Sequence, residues 1–164
     1  MRIIETKVYQ FEELDKQTKE KAIDNYRHIS VNDDSWFEWI KEDLISVGIE
    51  LRSFDIDRGS FAEIHLKDFY ETCDLILKWH GENCETYKIA ERYIEEYQDI
   101  QYHIKDDEYL DEKLDDLDEE YQKEFSEEVL SMLRFEFEHM TSDEYIIEMF
   151  EANEYEFTEE GKLI

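Results

Sequence analysis

The chain has 164 residues, 41% of them apolar and 15% aromatic, and a formal net charge of −29. That much apolar material excludes a disordered acidic tail, and no stretch approaches the roughly 18 uninterrupted apolar residues of a membrane span. The charge argues against direct binding to nucleic acid or to an anionic membrane and favours a basic partner.

In chain order, Ile3 to Phe11 reads as a strand, and Phe11 and Leu14 flank the entry to a helix reaching about His28, with Ala22, Ile23 and Tyr26 inward. Asn32 to Ser35 forms a turn or cap. A second helix follows with Trp36, Trp39, Ile40, Leu44 and Val47 at helical spacing, closed by Gly48. Ile49 to Ile56 and Phe61 to Leu66 are expected to make a hairpin around Asp57-Arg58-Gly59-Ser60. Lys67 to His80 and Cys84 to about Ile100 read as two helices broken at Gly81. Their inward sides are Phe69, Cys73, Ile76 and Leu77, then Ile89, Tyr93, Ile94 and Tyr97.

A long helical pattern runs from about Glu108 to Met140, and Thr141-Ser142-Asp143-Glu144 fits a capping box before a last helix with Tyr145, Ile146, Met149 and Phe150 inward. Tyr155 and Phe157 alternate into a terminal strand able to pair with the N-terminal one. No proline, Gly/Ser linker or internal repeat marks a boundary. The expectation is one α+β, helix-dominated domain over residues 1–164, with about six helices, a small antiparallel sheet made by the terminal strands and the hairpin, and an acidic helical part from about Tyr93.

The charge is uneven. Met1 to Arg92 holds 13 basic and 21 acidic residues, net −8; Tyr93 to Ile164 holds 5 and 26, net −21. From Asp106 to Glu120, ten of fifteen residues are acidic and only Lys113 is basic. Leu110, Leu114, Leu117, Tyr121 and Phe125 recur at helical spacing, which predicts an amphipathic helix docked by one stripe, with Asp111, Glu112, Asp115, Asp116, Glu119 and Glu120 facing solvent. Fifteen helical residues span about 22 Å, so the carboxylates fall about one per 2.2 Å, against about one phosphate per 1.7 Å of duplex DNA. Such a row suits a groove lined with Lys and Arg. The candidate partner-binding residues are Asp106, Asp107, Glu108, Asp111, Glu112, Asp115, Asp116, Glu119, Glu120 and Glu127.

A solvated helix face that only keeps the chain soluble is the alternative. Against it, like charges at i,i+4 each cost a few tenths of a kcal/mol, and a helix needing solubility alone would gain by mixing in lysine. Halophilic adaptation fits poorly with thirteen Lys and Arg in the first 92 residues.

Chemical motifs are weak. Cys73, His80 and Cys84, with His65, match no standard zinc spacing, and Asp55 to Gly59 begins like a calcium loop but has Gly59 at the third ligand position and Leu66 in place of the bidentate glutamate. There is no G-x-S-x-G, Gly-rich phosphate loop or helical H-E-x-x-H. The two cysteines are too few for a disulfide scaffold and read as reduced, partly buried thiols, while Trp36, Trp39 and Trp79 read as core. No catalytic residue, metal or cofactor is expected. The N-terminus lacks the basic-then-apolar plan of a signal peptide, so a cytoplasmic location is expected.

The opening Val8-Tyr9-Gln10-Phe11-Glu12-Glu13-Leu14 with Lys19-Glu20-Lys21-Ala22, the tryptophan-rich second helix and the closing Ala152-Asn153-Glu154-Tyr155-Glu156-Phe157-Thr158-Glu159-Glu160-Gly161-Lys162 together resemble a family of small acidic phage and prophage proteins. The Gly- and Ser-rich aromatic segment usual in that family has no counterpart around Phe54 to Phe61. The resemblance implies an origin in a mobile genetic element, where acidic proteins often inhibit host restriction or CRISPR nucleases. Together with the charge row, it yields the expectation of a stoichiometric, DNA-mimicking nuclease inhibitor. The alternative is an interaction module that binds a basic or regulatory host partner without mimicry.

Overall fold

The computed structural model describes residues 7–164, so the part of the expected first strand before Lys7 lies outside the described residues. The chain is α+β and helix-dominated, in element order β1 (Tyr9–Gln10), α1 (Lys16–Tyr26), α2 (Glu38–Ser46), β2 (Ile49–Asp55), β3 (Phe61–Leu66), α3 (Phe69–Trp79), α4 (Glu85–His103), α5 (Asp107–Met140), α6 (Asp143–Ala152) and β4 (Glu156–Phe157). Two compact units divide it. One holds Met1–Trp36 with Phe135–Ile164, the other Phe37–Arg134. The expected strands fall into two separate two-stranded antiparallel sheets, β1 with β4 and β2 with β3.

In the first unit the chain's two ends pair, Tyr9 opposite Phe157 and Gln10 opposite Glu156. Phe157, fully buried, packs against Phe150 at 5.0 Å and Phe11 at 6.0 Å between ring centroids, and Leu14, Ala22, Ile23 and Ile146 complete this core. Such offset and edge-on ring pairs add to the area they remove from water. α1 starts where the Asp15 carboxylate accepts hydrogen bonds from the backbone N–H groups of Gln17 and Thr18 at 2.9 and 3.1 Å, satisfying donors that have no intrahelical partner. Ser142 does the same for α6, accepting from the Tyr145 N–H at 3.2 Å. Arg27 joins the two helices: its guanidinium donates to the Thr141 carbonyl at 2.9 Å and pairs with Asp24 at 2.9 Å and Asp143 at 2.6 Å.

In the second unit α2 turns into β2 at Gly48, whose φ of +89° is the left-handed conformation a helix terminus needs. A Cβ there would stand 2.9 Å from the Thr72 hydroxyl oxygen. The hairpin pairs Ile49 with Leu66 and Asp55 with Phe61, shifts register between Leu51 and Ser53, and turns at Gly59 with φ +80°. Ala62, Ile64 and Leu66 alternate inward along β3 and are buried, as are Cys73 and Ile76 of α3, Ile89, Ala90 and Tyr93 of α4, and Leu117, Tyr121, Phe125, Val129 and Leu133 of α5. The Gln122 amide donates to the Ile64 carbonyl at 2.8 Å, tying α5 to β3.

Three local expectations are corrected. Trp36 is buried, but Trp39 and Trp79 are 53% and 75% exposed. Trp36 belongs to a 3-10 turn at Asp34–Phe37 that precedes α2, so its phase does not carry into the helix. Within α2, Ile40 and Leu44 set the inward stripe and Trp39 falls beside it. Of the two thiols, Cys73 is fully buried and Cys84 is exposed at the start of α4. Burial pushes the Cys73 thiol up to about 12, with Asp118 adding to the shift, so it is an inert thiol at neutral pH.

Candidate partner-binding surface

The first turns of α5 are organised by Asp106. Its carbonyl accepts from the Leu110 N–H at 2.9 Å and its carboxylate from the Tyr109 N–H at 3.0 Å, with Asp107 and Glu108 in the first turn where the helix dipole favours negative charge. Burial on α5 begins at Leu117 and continues through Tyr121, Phe125, Val129 and Leu133. Leu110 and Leu114, expected in the docked stripe, are only half-buried. Leu114 instead lines an open cleft.

All ten predicted carboxylates are exposed. Asp106 is engaged in the cap, and Asp116 pairs with Lys113 at 2.8 Å, a contact that raises the Lys113 pKa. The other eight have no ion pair among the described residues. Successive 100° steps spread most of them over one broad face of α5. Glu108, Glu112, Asp116, Glu119 and Glu120 form its outer ridge. Asp111 and Asp115 continue that face toward Asp118, and all three line the cleft. Glu127 stands apart, about 10 Å along the axis from Glu120. It borders a separate shallow groove beside Ser60 and Phe61, with Lys123 between it and the ridge.

Sequence reasoning did not anticipate the cleft. Its volume is about 520 Å³, and it is bounded by Leu66 to Tyr70 at the start of α3, Tyr93 and Tyr97 of α4, and Asp111, Leu114, Asp115 and Asp118 of α5. Its aromatic wall is continuous, with Tyr70 to Tyr97 at 4.8 Å, Tyr97 to Tyr93 at 5.9 Å and Tyr93 to Phe69 at 5.5 Å between ring centroids. The Tyr93 hydroxyl donates to the Asp118 carboxylate at 2.7 Å. Burial raises the Asp118 pKa, the Asp115 and Asp68 carboxylates push the same way, and the Tyr93 hydrogen bond opposes them. Burial, followed by Asp118, raises the Tyr93 pKa, so its hydroxyl remains a donor at any physiological pH. Asp68 itself caps α3, accepting from the Glu71 N–H at 2.8 Å. The available signal was Asp118 itself, an acid on the inward flank of the acidic run.

Farther along α4 and α5, the Tyr121 hydroxyl donates to Glu96 at 2.8 Å and Arg92 pairs with Glu124 at the surface. The sequence's metal candidates do not assemble: no group of three His, Cys, Asp or Glu able to hold an ion occurs among the described residues. His80 is instead tied to Thr86 through Nδ1 at 2.7 Å, with its buried Nε2 3.6 Å from Asp43. No helix among the described residues is long and apolar enough to cross a membrane. No protein-family model matches the chain, and no curated protein or solved structure matches it either.

Proposed function

We propose that this protein is a stoichiometric inhibitor of a host defence nuclease, a CRISPR effector or a restriction enzyme, encoded by a phage or prophage and acting in the host cytoplasm. It works without turnover, laying the acidic face of α5 into the basic groove where nucleic acid would lie. The observation that supports this reading is the row of exposed carboxylates on the N-terminal half of α5, eight of the ten without an ion pair among the described residues. An unneutralised row of this density recruits Lys and Arg and gains from the release of small ions, as DNA does.

The test is titration against purified Cas effectors and restriction enzymes across a salt series, read by binding and by cleavage of target DNA. Binding is expected to fall steeply with salt and to be lost when Asp111, Glu112, Asp115, Asp116, Glu119 and Glu120 are replaced by their amides. Salt-insensitive binding, or binding undiminished by the six amides, refutes the mimicry.

Exposed Trp39 and Trp79 favour one second reading, an interaction module in which apolar contacts supply the affinity and the acidic face only steers association. On that reading the double Trp-to-Ala variant loses binding while remaining folded, and the six-amide variant loses chiefly association rate.

A further inference from the structure

The cleft beside the acidic ridge has a chemistry of its own. We infer that it is a receptor for an arginine side chain presented by the basic partner, the guanidinium stacking on the Tyr70 and Tyr97 rings while Asp111 and Asp115 receive its N–H groups. This inference rests on the reading of a basic partner and specifies where that partner is anchored.

Two independent features of the cleft point to a planar cation. Its wall is a run of tyrosine and phenylalanine rings, with Tyr70 exposed and Tyr97 half-buried, and ring faces attract cations through their quadrupole. Its opposite side brings Asp111 and Asp115 over the half-buried Asp118, three carboxylates of one helix flank, with only Lys67 at the rim to offset them. Lys67 has no ion pair among the described residues. A phosphate or an acidic peptide would be repelled, and an apolar ligand would leave the carboxylates dehydrated without partners. Guanidinium satisfies both walls: it is flat enough to stack, weakly hydrated, and holds its donors in a fork matched to carboxylates. A lysine ammonium offers only a hydrated point charge.

The experiment uses the full chain and a blocked Gly-Arg-Gly peptide, followed by backbone amide NMR shifts, with the citrulline and lysine peptides and spermidine as comparators. The arginine peptide is expected to shift residues around Tyr70, Tyr97 and Asp115 saturably, with the citrulline peptide at least about tenfold weaker. Tyr70→Ala and Asp115→Asn should each weaken it several-fold, Lys67→Gln should strengthen it, and Glu42→Gln, exposed on α2 and outside both the cleft and the acidic row, should leave it unchanged. Tyr70 and Asp115 are exposed, and a thermal melt verifies that their variants remain folded. Shifts spread along the outer ridge, equal binding of citrulline, equal binding of lysine or spermidine, or indifference to Tyr70→Ala would overturn the inference.

Nuclease inhibition separates this inference from the broader reading. Loss of inhibition on Tyr70→Ala supports the cleft as anchor, and undiminished inhibition on Tyr70→Ala overturns it while leaving the ridge intact. Arginine-peptide binding at the cleft in a protein that inhibits no nuclease removes the mimicry and leaves the receptor.

Discussion

Asp115→Asn should make the protein more stable, which is unusual for a substitution in a proposed binding surface. Asp115 lies one turn from Asp111 and one turn from Glu119 on α5, is exposed, and has no ion pair or hydrogen bond among the described residues. Each like-charge i,i+4 pair costs about 0.2–0.5 kcal/mol, so removing two returns about 0.4–1 kcal/mol. At this chain length 1 kcal/mol corresponds to about 2–4 °C, which puts the expected rise in Tm at about 1–4 °C in low salt. Relief of Asp118, whose raised pKa owes part of its shift to Asp115, acts in the same direction.

The natural control is Asp116→Asn, which also removes two like-charge neighbours but gives up the Lys113 pair at 2.8 Å, so its Tm should scarcely move. Thermal melts by circular dichroism at ~10 mM and ~1 M salt decide the matter, because the screening length shrinks from about 30 Å to about 3 Å. A lower Tm for Asp115→Asn in low salt, or a gain that survives ~1 M salt, refutes the claim that α5 sustains its charge row at a cost to stability. If the gain appears as expected and the same variant loses partner binding, the row is kept for binding rather than for folding or solubility.

Phe125→Ala removes a fully buried ring from the α5 stripe and should cost about 3–5 kcal/mol, measured by denaturant unfolding. Gly48→Ala places a Cβ at φ +89° and 2.9 Å from the Thr72 hydroxyl, and should cost about 1–3 kcal/mol in the same assay. The pH profile should peak on the acid side of neutrality. Asp118 and Glu128 have folded pKa values raised chiefly by burial, so their contribution is complete below the unfolded carboxylate pKa and is lost as pH rises through the folded value. Asp15 and Asp33, lowered chiefly by hydrogen bonds from Thr18 and Ser35, contribute above the unfolded value and lose that contribution as pH falls through their folded pKa. Tm in low salt should therefore fall as pH rises above the ordinary carboxylate range and fall again below about pH 4, and Asp118→Asn should flatten the decline on the higher-pH side.

Much of the fold was legible because local rules and tertiary packing agree. Gly48 and Gly59 mark the turns that need a left-handed residue, the alternation of Ala62, Ile64 and Leu66 marks a one-sided strand, and Leu117, Tyr121 and Phe125 mark the face on which α5 docks. Even the meeting of the two ends was readable from the alternation of Tyr155 and Phe157, where Tyr9 does face Phe157. Periodicity failed where an irregular turn resets the helical phase, as at Trp36 before α2, and where a stripe is only partly covered, as at Leu110 and Leu114. The exposed carboxylates were legible because charge repels burial. The cleft was not, because its walls are drawn from α3, α4 and α5, and only three-dimensional packing sets Tyr70 against Tyr97 and brings Asp68 near Asp118.

The pairing of β1 with β4 also orders events during synthesis. The residues Phe37–Arg134 form one uninterrupted stretch, so the unit they build has its full complement of side chains once Arg134 has left the ribosome. The other unit does not. Its Phe11, Leu14 and Ile23 are made before that stretch, but Phe150 and Phe157, against which Phe11 packs, are made only after it. At about 5–20 residues per second, the N-terminal segment waits several seconds or more with its aromatic side chains uncovered. A chain released before Phe157 would leave that apolar core open and adhesive, a natural target for chaperones and proteases.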